Sequence, residues 1–175
     1  MSYNLTARIF HWVSALAVFG LFGVGLWMVD LTYYSPWYKT APDWHRSIGV
    51  MLALLTILRL LWKALKGHPA IEGAKWEIAA AHFVHKLLYV LMFTLFVSGY
   101  LISTEDGRPI DVFNWFSIPA MGKLFEDQAD ISGVIHYYTA LTLVSFAVLH
   151  AAAALKHHFI NKDNTLRKMI GDSTR

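Results

Sequence analysis

Four long apolar segments constrain this chain more than any other feature of its sequence. Residues 9–29, 87–104 and 131–155 contain no charged side chain, and each is close to the ~20 residues that a helix needs to cross a bilayer. Residues 45–65 carry Arg59 and Lys63 near their end, where both side chains can snorkel to an interface. We therefore predict an all-α membrane protein, a four-transmembrane-helix bundle that forms one domain over residues 1–175.

The distribution of Lys and Arg predicts the orientation of this bundle. Basic residues concentrate in and around the link between the second and third helices and after the fourth helix: Arg59, Lys63, Lys66, Lys75, Lys86, Lys156, Lys162, Arg167, Lys168 and Arg175. The positive-inside rule then makes both termini cytoplasmic. The link 103–130 carries six acids and two bases and is expected outside, as a small cap. His68, in the basic link, is expected to be solvated.

Composition excludes several classes of site. The chain has no cysteine, which rules out disulfides, iron–sulfur clusters, thiolate-bound metals and haem attached through Cys-x-x-Cys-His. No basic patch with interleaved aromatic residues is present, so nucleic acid is not an expected partner. Imidazole is the metal ligand that remains available within the membrane.

Four histidines lie in or at the edge of the apolar segments: His11, His45, His136 and His150. An imidazole in hydrocarbon is costly unless it is ligated or hydrogen-bonded, so each is a candidate functional residue. His136 and His150 are fourteen positions apart, which places them within ~40° of one helix face and ~21 Å apart along the axis. By depth, His11 pairs with His150 in the cytoplasmic half, and His45 pairs with His136 in the outer half.

Paired imidazoles without a nearby carboxylate or thiolate suit the two axial positions of a haem iron. Zinc normally takes four ligands, and di-iron sites need several inward-facing Glu residues, which the spans do not offer. Glycines near the histidines leave room for a flat macrocycle or, equally, for close helix packing: Gly20, Gly23, Gly25, Gly49, Gly99 and Gly133. In the remaining alternative, a haem-free bundle, all four histidines would be hydrogen-bonded core residues.

Further polar residues flank the cytoplasmic pair. Arg59 is expected either to pair with a propionate of the inner haem or to anchor the helix at the interface. His82 and His85 are rival ligands for that haem. Their depth, nearer the headgroups than His150, suits better a contact with a ligand histidine or with a haem propionate. His157 and His158 follow His150 by about two turns; such a histidine can donate to a quinone carbonyl and shuttle its proton, or simply favour the helix C-terminus.

These residues resemble the bacterial cytochrome b561 family of small four-helix di-haem membrane cytochromes. The resemblance rests on His11-Trp12, His45, His82-x-x-His85, the pair His136 and His150, and the run from His150 through Lys156-His157-His158 to Lys162-Asp163-Asn164-Thr165-Leu166. It implies a multi-pass protein of the bacterial inner membrane, in contact with lipid, with two b-type haems ligated by His11 with His150 and by His45 with His136. It also implies a quinone contact at His157.

The resemblance leaves two functions open. The favoured one is a superoxide:quinone oxidoreductase, which oxidises superoxide on the periplasmic side and reduces ubiquinone near the cytoplasmic side. The alternative is a cytochrome b relay subunit that passes electrons between quinol and a periplasmic redox protein. The net charge of −4 on residues 103–130 does not favour capture of an anion and suits a basic protein partner.

Overall fold

A computed structural model describes residues 3–67 and 73–171, so His68 and Arg175 lie outside the described residues. Four long helices dominate it: α1 (Leu5–Met28), α2 (Thr40–Lys66), α3 (Lys75–Thr104) and α4 (Gln128–Lys156). A π-helical turn (His157–Asn161) continues α4, and a short helix, α5 (Thr165–Ile170), follows it. All four long helices are long and apolar enough to cross a membrane, which confirms the predicted four-helix membrane fold.

All four long helices begin earlier than the apolar segments do, α2 and α3 by the most. Helix α3 starts at Lys75, twelve residues before the uncharged run, and the Glu77 side chain accepts a hydrogen bond from the Ala74 amide at its start. Helix α2 starts at Thr40. Charged residues end a hydrophobic run but do not end a helix, so His45, His82 and His85 all lie inside regular helix.

The interior of the bundle is small. Helix α3 packs along α4, and α1 packs along α2, while Leu52, Met92 and Leu143 form the buried centre between them. Many large apolar side chains are exposed instead of buried. This pattern is expected where the surrounding medium is hydrocarbon, because outward-facing apolar residues are then solvated by lipid.

One end of the bundle, which we call the termini end, brings the first and last parts of the chain together. The Trp12 indole donates to the Met169 carbonyl at 3.2 Å, and the Trp62 indole donates to the Asn4 side chain at 3.3 Å. Helix α5 is thereby held against the start of α1, one residue away from His11.

The opposite end, the hairpin end, is covered by an antiparallel pair of short strands, β1 (Ile110–Val112) and β2 (Phe116–Ile118). Three residues connect the strands, of which Phe113 and Asn114 have left-handed φ angles of 48° and 64°, and the Trp115 amide donates to the Val112 carbonyl at 2.8 Å. These strands are an addition to the all-α prediction. The hydroxyl of Ser47 binds the hairpin to α2, donating to the Asp111 carbonyl and accepting from the Phe113 amide.

Candidate functional site

At the hairpin end, His45 of α2 faces His136 of α4. Their ring centroids are 6.3 Å apart and their planes are inclined at 65°. Two glycines on the neighbouring helices make room for these rings. A Cβ added at Gly25 would lie 3.3 Å from Cε1 of His45, and one added at Gly99 would lie 3.2 Å from Cε1 of His136. Both glycines therefore keep side-chain atoms away from the imidazoles.

Hydrogen bonds indicate which nitrogen of His136 carries the proton. The Ser98 hydroxyl lies 3.0 Å from Nδ1 of His136 and is itself 2.7 Å from the Thr94 carbonyl, to which it donates. Its single hydrogen is thus used, so its oxygen accepts from the ring. With the proton on Nδ1, the lone pair of Nε2 is available to a metal.

His45 lines a lipid-side cavity between α1 and α2, with a volume of about 480 Å³. Its walls are almost entirely apolar: Val13, Leu16, Ala17, Gly20, Leu21, Val24, Trp27, Trp37, Thr40, Ala41, Trp44 and Ile48 surround the histidine. Within the described part of the chain, Nδ1 of His45 is buried and has no hydrogen-bond partner. A large apolar cavity with one polar group at its wall is typical of a cofactor site.

At the termini end, His11 of α1 faces His150 of α4, again with ring centroids 6.3 Å apart and with planes at 72°. His85 of α3 brings a third ring, 5.1 Å from that of His150. Arg59 completes the cluster: its Nη2 lies 3.1 Å from Nδ1 of His11, and its guanidinium stands over the ring of Tyr89 at 5.6 Å. This end therefore concentrates three imidazoles and one permanent positive charge.

The common spacing of 6.3 Å has a simple chemical meaning. Metal–nitrogen bonds of ~2 Å to two opposed imidazoles, whose ring centres lie ~1 Å behind each nitrogen, separate the centroids by ~6 Å. The His11–His150 and His45–His136 pairs both have this separation, whereas His85 lies closer to His150 than such an arrangement allows. Among residues 3–67 and 73–171, no group of three or more His, Asp or Glu side chains could hold a metal ion. Each pair thus suits a metal whose other ligands come from a macrocycle.

His157 lies beyond α4 at the termini end, in the π-helical turn. Its Nδ1 is 2.5 Å from Oδ2 of Asp163 and 3.2 Å from the Asn161 amide nitrogen. The side chain is 13% exposed. The sequence singled out His157 but not Asp163, although Asp163 belongs to the motif that carries the resemblance.

Sequence comparison assigns this arrangement of helices and histidines to a family. Residues 2–172 match the profile described as prokaryotic cytochrome b561. The chain is 44% identical to cytochrome b561 homolog 2 of Escherichia coli K12, over 98% of this chain and 93% of that protein. This chain belongs to the prokaryotic cytochrome b561 family. It is therefore a multi-pass membrane protein of electron transfer, and the family implies haem b.

Two further relatives are more distant. Cytochrome b561 homolog 1 of Escherichia coli K12 is 25% identical over 96% of both chains. The probable superoxide oxidase CybB of Yersinia pestis is 30% identical over 78% of this chain and 77% of its own length. The family and fold predictions are thus confirmed, while superoxide, quinone and the individual haem ligands stay predictions.

Of the residues predicted from sequence, the structure brings His11 together with His150, and His45 together with His136. Arg59 lies against the first of these pairs, as its depth predicted. Sequence reasoning missed the contacts of Ser98 and Asp163. The only available signals were a hydroxyl on the histidine-facing side of α3 and an acid six residues after His157. Such residues are too common to be singled out.

Proposed function

We propose that this cytochrome b561 carries electrons across the membrane through two b-type haems, from superoxide to ubiquinone. His45 and His136 would hold the haem at the hairpin end, facing the periplasm, and His11 and His150 the haem at the termini end, facing the cytoplasm. The observation that carries the proposal is the equal spacing of the two imidazole pairs, 6.3 Å at either end of the bundle.

Bound haem would supply the one-electron redox chemistry, and the chain's own residues would position and insulate it. Ser98 fixes the tautomer of His136, and Gly25 and Gly99 keep the ligand rings free. Arg59 is placed to meet a haem propionate beside His11. If His11 holds the iron through Nε2, its Nδ1 would carry the proton and could not accept a hydrogen bond from Arg59. The guanidinium would then be available to the propionate.

The hairpin end offers a route for a small polar donor. A second cavity, of about 570 Å³, lies between the start of α2 and the hairpin. It shares Thr40 and Trp44 with the apolar cavity of His45, so the polar and apolar cavities are separated by a single layer of side chains. Arg46 and Arg108 line the polar cavity and supply the positive charge that attracts an anion.

One observation favours the second candidate, a relay between quinol and a periplasmic redox protein. Both cavity arginines are bound by acids of their own, Arg46 by Asp43 and Arg108 by Asp106, and the surrounding loop is acidic. A surface of this charge would attract a basic protein and weaken steering of superoxide.

Counting the haems tests the ligand assignment. The purified protein is expected to contain two haem b per chain, and the variants His11→Ala and His45→Ala one each. His82→Ala is the matched control, a histidine of α3 outside both pairs, and is expected to keep two. If His85→Ala loses a haem while His11→Ala keeps both, His85 is the ligand and the assignment for the termini end is wrong.

Superoxide separates the two functions. Oxidised protein mixed with a superoxide generator is expected to show rapid haem reduction that superoxide dismutase suppresses and that added ubiquinone reverses. Haem reduction that ignores the dismutase, together with salt-sensitive binding of a basic redox protein, would instead establish the relay.

A further inference from the structure

We propose that Asp163 is a positioning residue for quinone reduction: its carboxylate holds the His157 imidazole with Nδ1–H on the carboxylate and with Nε2 turned to the quinone. This inference rests on the proposed function, because it assigns a role within the quinone site. His157 would make the contact with the quinone, and Asp163 would act through His157.

The local backbone creates this pair. After α4 the chain widens into the π-helical turn, and Lys162 then adopts a left-handed conformation with φ of 56°. The Asp163 amide donates back to the His157 carbonyl at 3.1 Å. This reversal returns the Asp163 side chain to the ring of His157. Single π-turns are frequent at functional sites.

The carboxylate is fixed on both oxygens. Oδ1 accepts from the Thr165 amide at 2.9 Å, and Oδ2 lies 2.5 Å from Nδ1 of His157. Burial raises the pKa of Asp163, but the hydrogen bonds from Thr165 and His157 outweigh it and hold the pKa below its ordinary value. The group is therefore an anion at neutral pH, and it can only accept from Nδ1–H.

The orientation leaves one nitrogen of the ring for a ligand. In the described part of the chain, the hydrogen bonds of the His157 ring are both at Nδ1, to Asp163 and Asn161, which leaves Nε2 for a ligand. Glu77 of α3 is a second acid whose charge acts on His157, and it is paired with Lys156 at 2.7 Å. Because these two charges offset each other, Asp163 is the acid that acts directly on the imidazole.

Quinone reduction consumes protons, and the His157–Asp163 pair is proposed to deliver them. Conversion of a quinone to the quinol takes two electrons and two protons, and two superoxide anions supply the electrons as they become dioxygen. At each transfer the Nε2–H bond of His157 breaks and an O–H bond forms on the quinone. Water at the termini end then returns a proton to Nε2. A carboxylate on Nδ1 stabilises the imidazolium that donates, as in other acid–imidazole pairs.

The test is Asp163→Asn in the full-length, haem-loaded protein. The amide oxygen of the new side chain would still accept from the Thr165 amide, so its NH₂ group would face Nδ1 of His157. Nδ1 would then have to accept a hydrogen bond instead of donating one, which forces the ring into the opposite tautomer. The expected result is a fall of about 10-fold or more in quinone reduction. The haem content, the haem spectrum and the rate of haem reduction by superoxide should not change. Asp163→Glu should recover part of the rate.

Glu77→Gln is the matched control, since it removes an acid of the same edge whose hydrogen bonds go to Lys156 and the Ala74 amide and not to His157. An equal loss in Glu77→Gln, or an unchanged rate in Asp163→Asn, would overturn the inference. A wild-type protein that exchanges no electrons with ubiquinone would contradict the proposed function itself, and the two failures are thus distinguishable.

Discussion

The two ends of the bundle hold imidazole pairs of the same spacing in different surroundings. At the hairpin end, His45 and His136 lie among glycines and apolar side chains, and the nearest polar partner is the neutral hydroxyl of Ser98. At the termini end, a guanidinium and a third imidazole flank His11 and His150. At the hairpin end the nearby charge of Arg46 is offset by Asp43, whereas at the termini end the guanidinium of Arg59 adds a positive charge beside the same ligand geometry.

This difference predicts a direction for electron flow. A positive charge beside a redox centre stabilises the form that has gained an electron, and so raises its midpoint potential. The termini-end centre is therefore expected to have the higher potential, which makes transfer from the hairpin end downhill. Substitutions at the two ends test this comparison, and the expected effect falls from the ligand histidines to Ser98.

The largest effect should come from removing one ligand at each end. His136→Ala is expected to abolish haem reduction by superoxide, because the entry centre is lost. His150→Ala should keep that reduction, at the remaining haem, but lose reoxidation by ubiquinone. Stopped-flow spectra of the two variants measure both half-reactions, and identical behaviour of the two would remove the functional distinction between the ends.

Ser47→Ala tests how firmly the hairpin end is covered. The Ser47 side chain is almost fully buried, and its loss leaves the Phe113 amide and the Asp111 carbonyl without this partner. We expect a destabilisation of about 1–3 kcal/mol, visible as faster proteolysis of the hairpin and a lower Tm in detergent. Ser117→Ala, which removes an exposed hydroxyl from the same hairpin, should change either measurement little.

Arg59→Gln tests the electrostatic contrast directly. Removing the charge beside His11 should lower the midpoint potential of the termini-end haem by an amount on the order of 50 mV, about 1 kcal/mol for a one-electron couple. A redox titration followed at the two haem bands makes the measurement. An equal shift at both haems, or a shift confined to the hairpin end, would contradict the placement of Arg59.

Ser98→Ala is expected to have the smallest effect. A hydrogen bond accepted from Nδ1–H makes the ligand more basic and favours oxidised iron. Its loss should raise the potential of the hairpin-end haem by an amount on the order of 20 mV, or about 0.5 kcal/mol. The effect is small because the lost partner is a neutral hydroxyl and not a charged group. The same titration, with the termini-end band as internal reference, would detect the shift.

The sequence was most informative where a single physical rule decides the outcome. Three uncharged runs and a fourth interrupted only by Arg59 and Lys63 near its end predicted the four spans, because bilayer thickness fixes the length of an apolar helix. Depth along those spans then predicted which histidines meet. The apolar run does not show where α3 begins, since residues 75–86 contain charges that a membrane excludes but a helix accepts.

Beyond the histidine pairs, side-chain contacts between distant elements could not be predicted from the sequence. Gly25 and Gly99 stood among six candidate glycines, and only the rotation of α1 and α3 shows that these two face imidazole rings while Gly23 faces open space. The hairpin turn uses Phe113 and Asn114 with positive φ, without the glycine that marks most such turns. Asp163 meets His157 only because of the wide turn after α4.

One feature of α4 bears on how the protein is made. This helix supplies a ring to each pair, through His136 and His150, and it is the last of the four to leave the ribosome. Neither pair exists before α4 has inserted beside its neighbours. With the proposed pairing, haem binding is therefore a late step in biogenesis, and a nascent chain arrested after α3 would contain no haem.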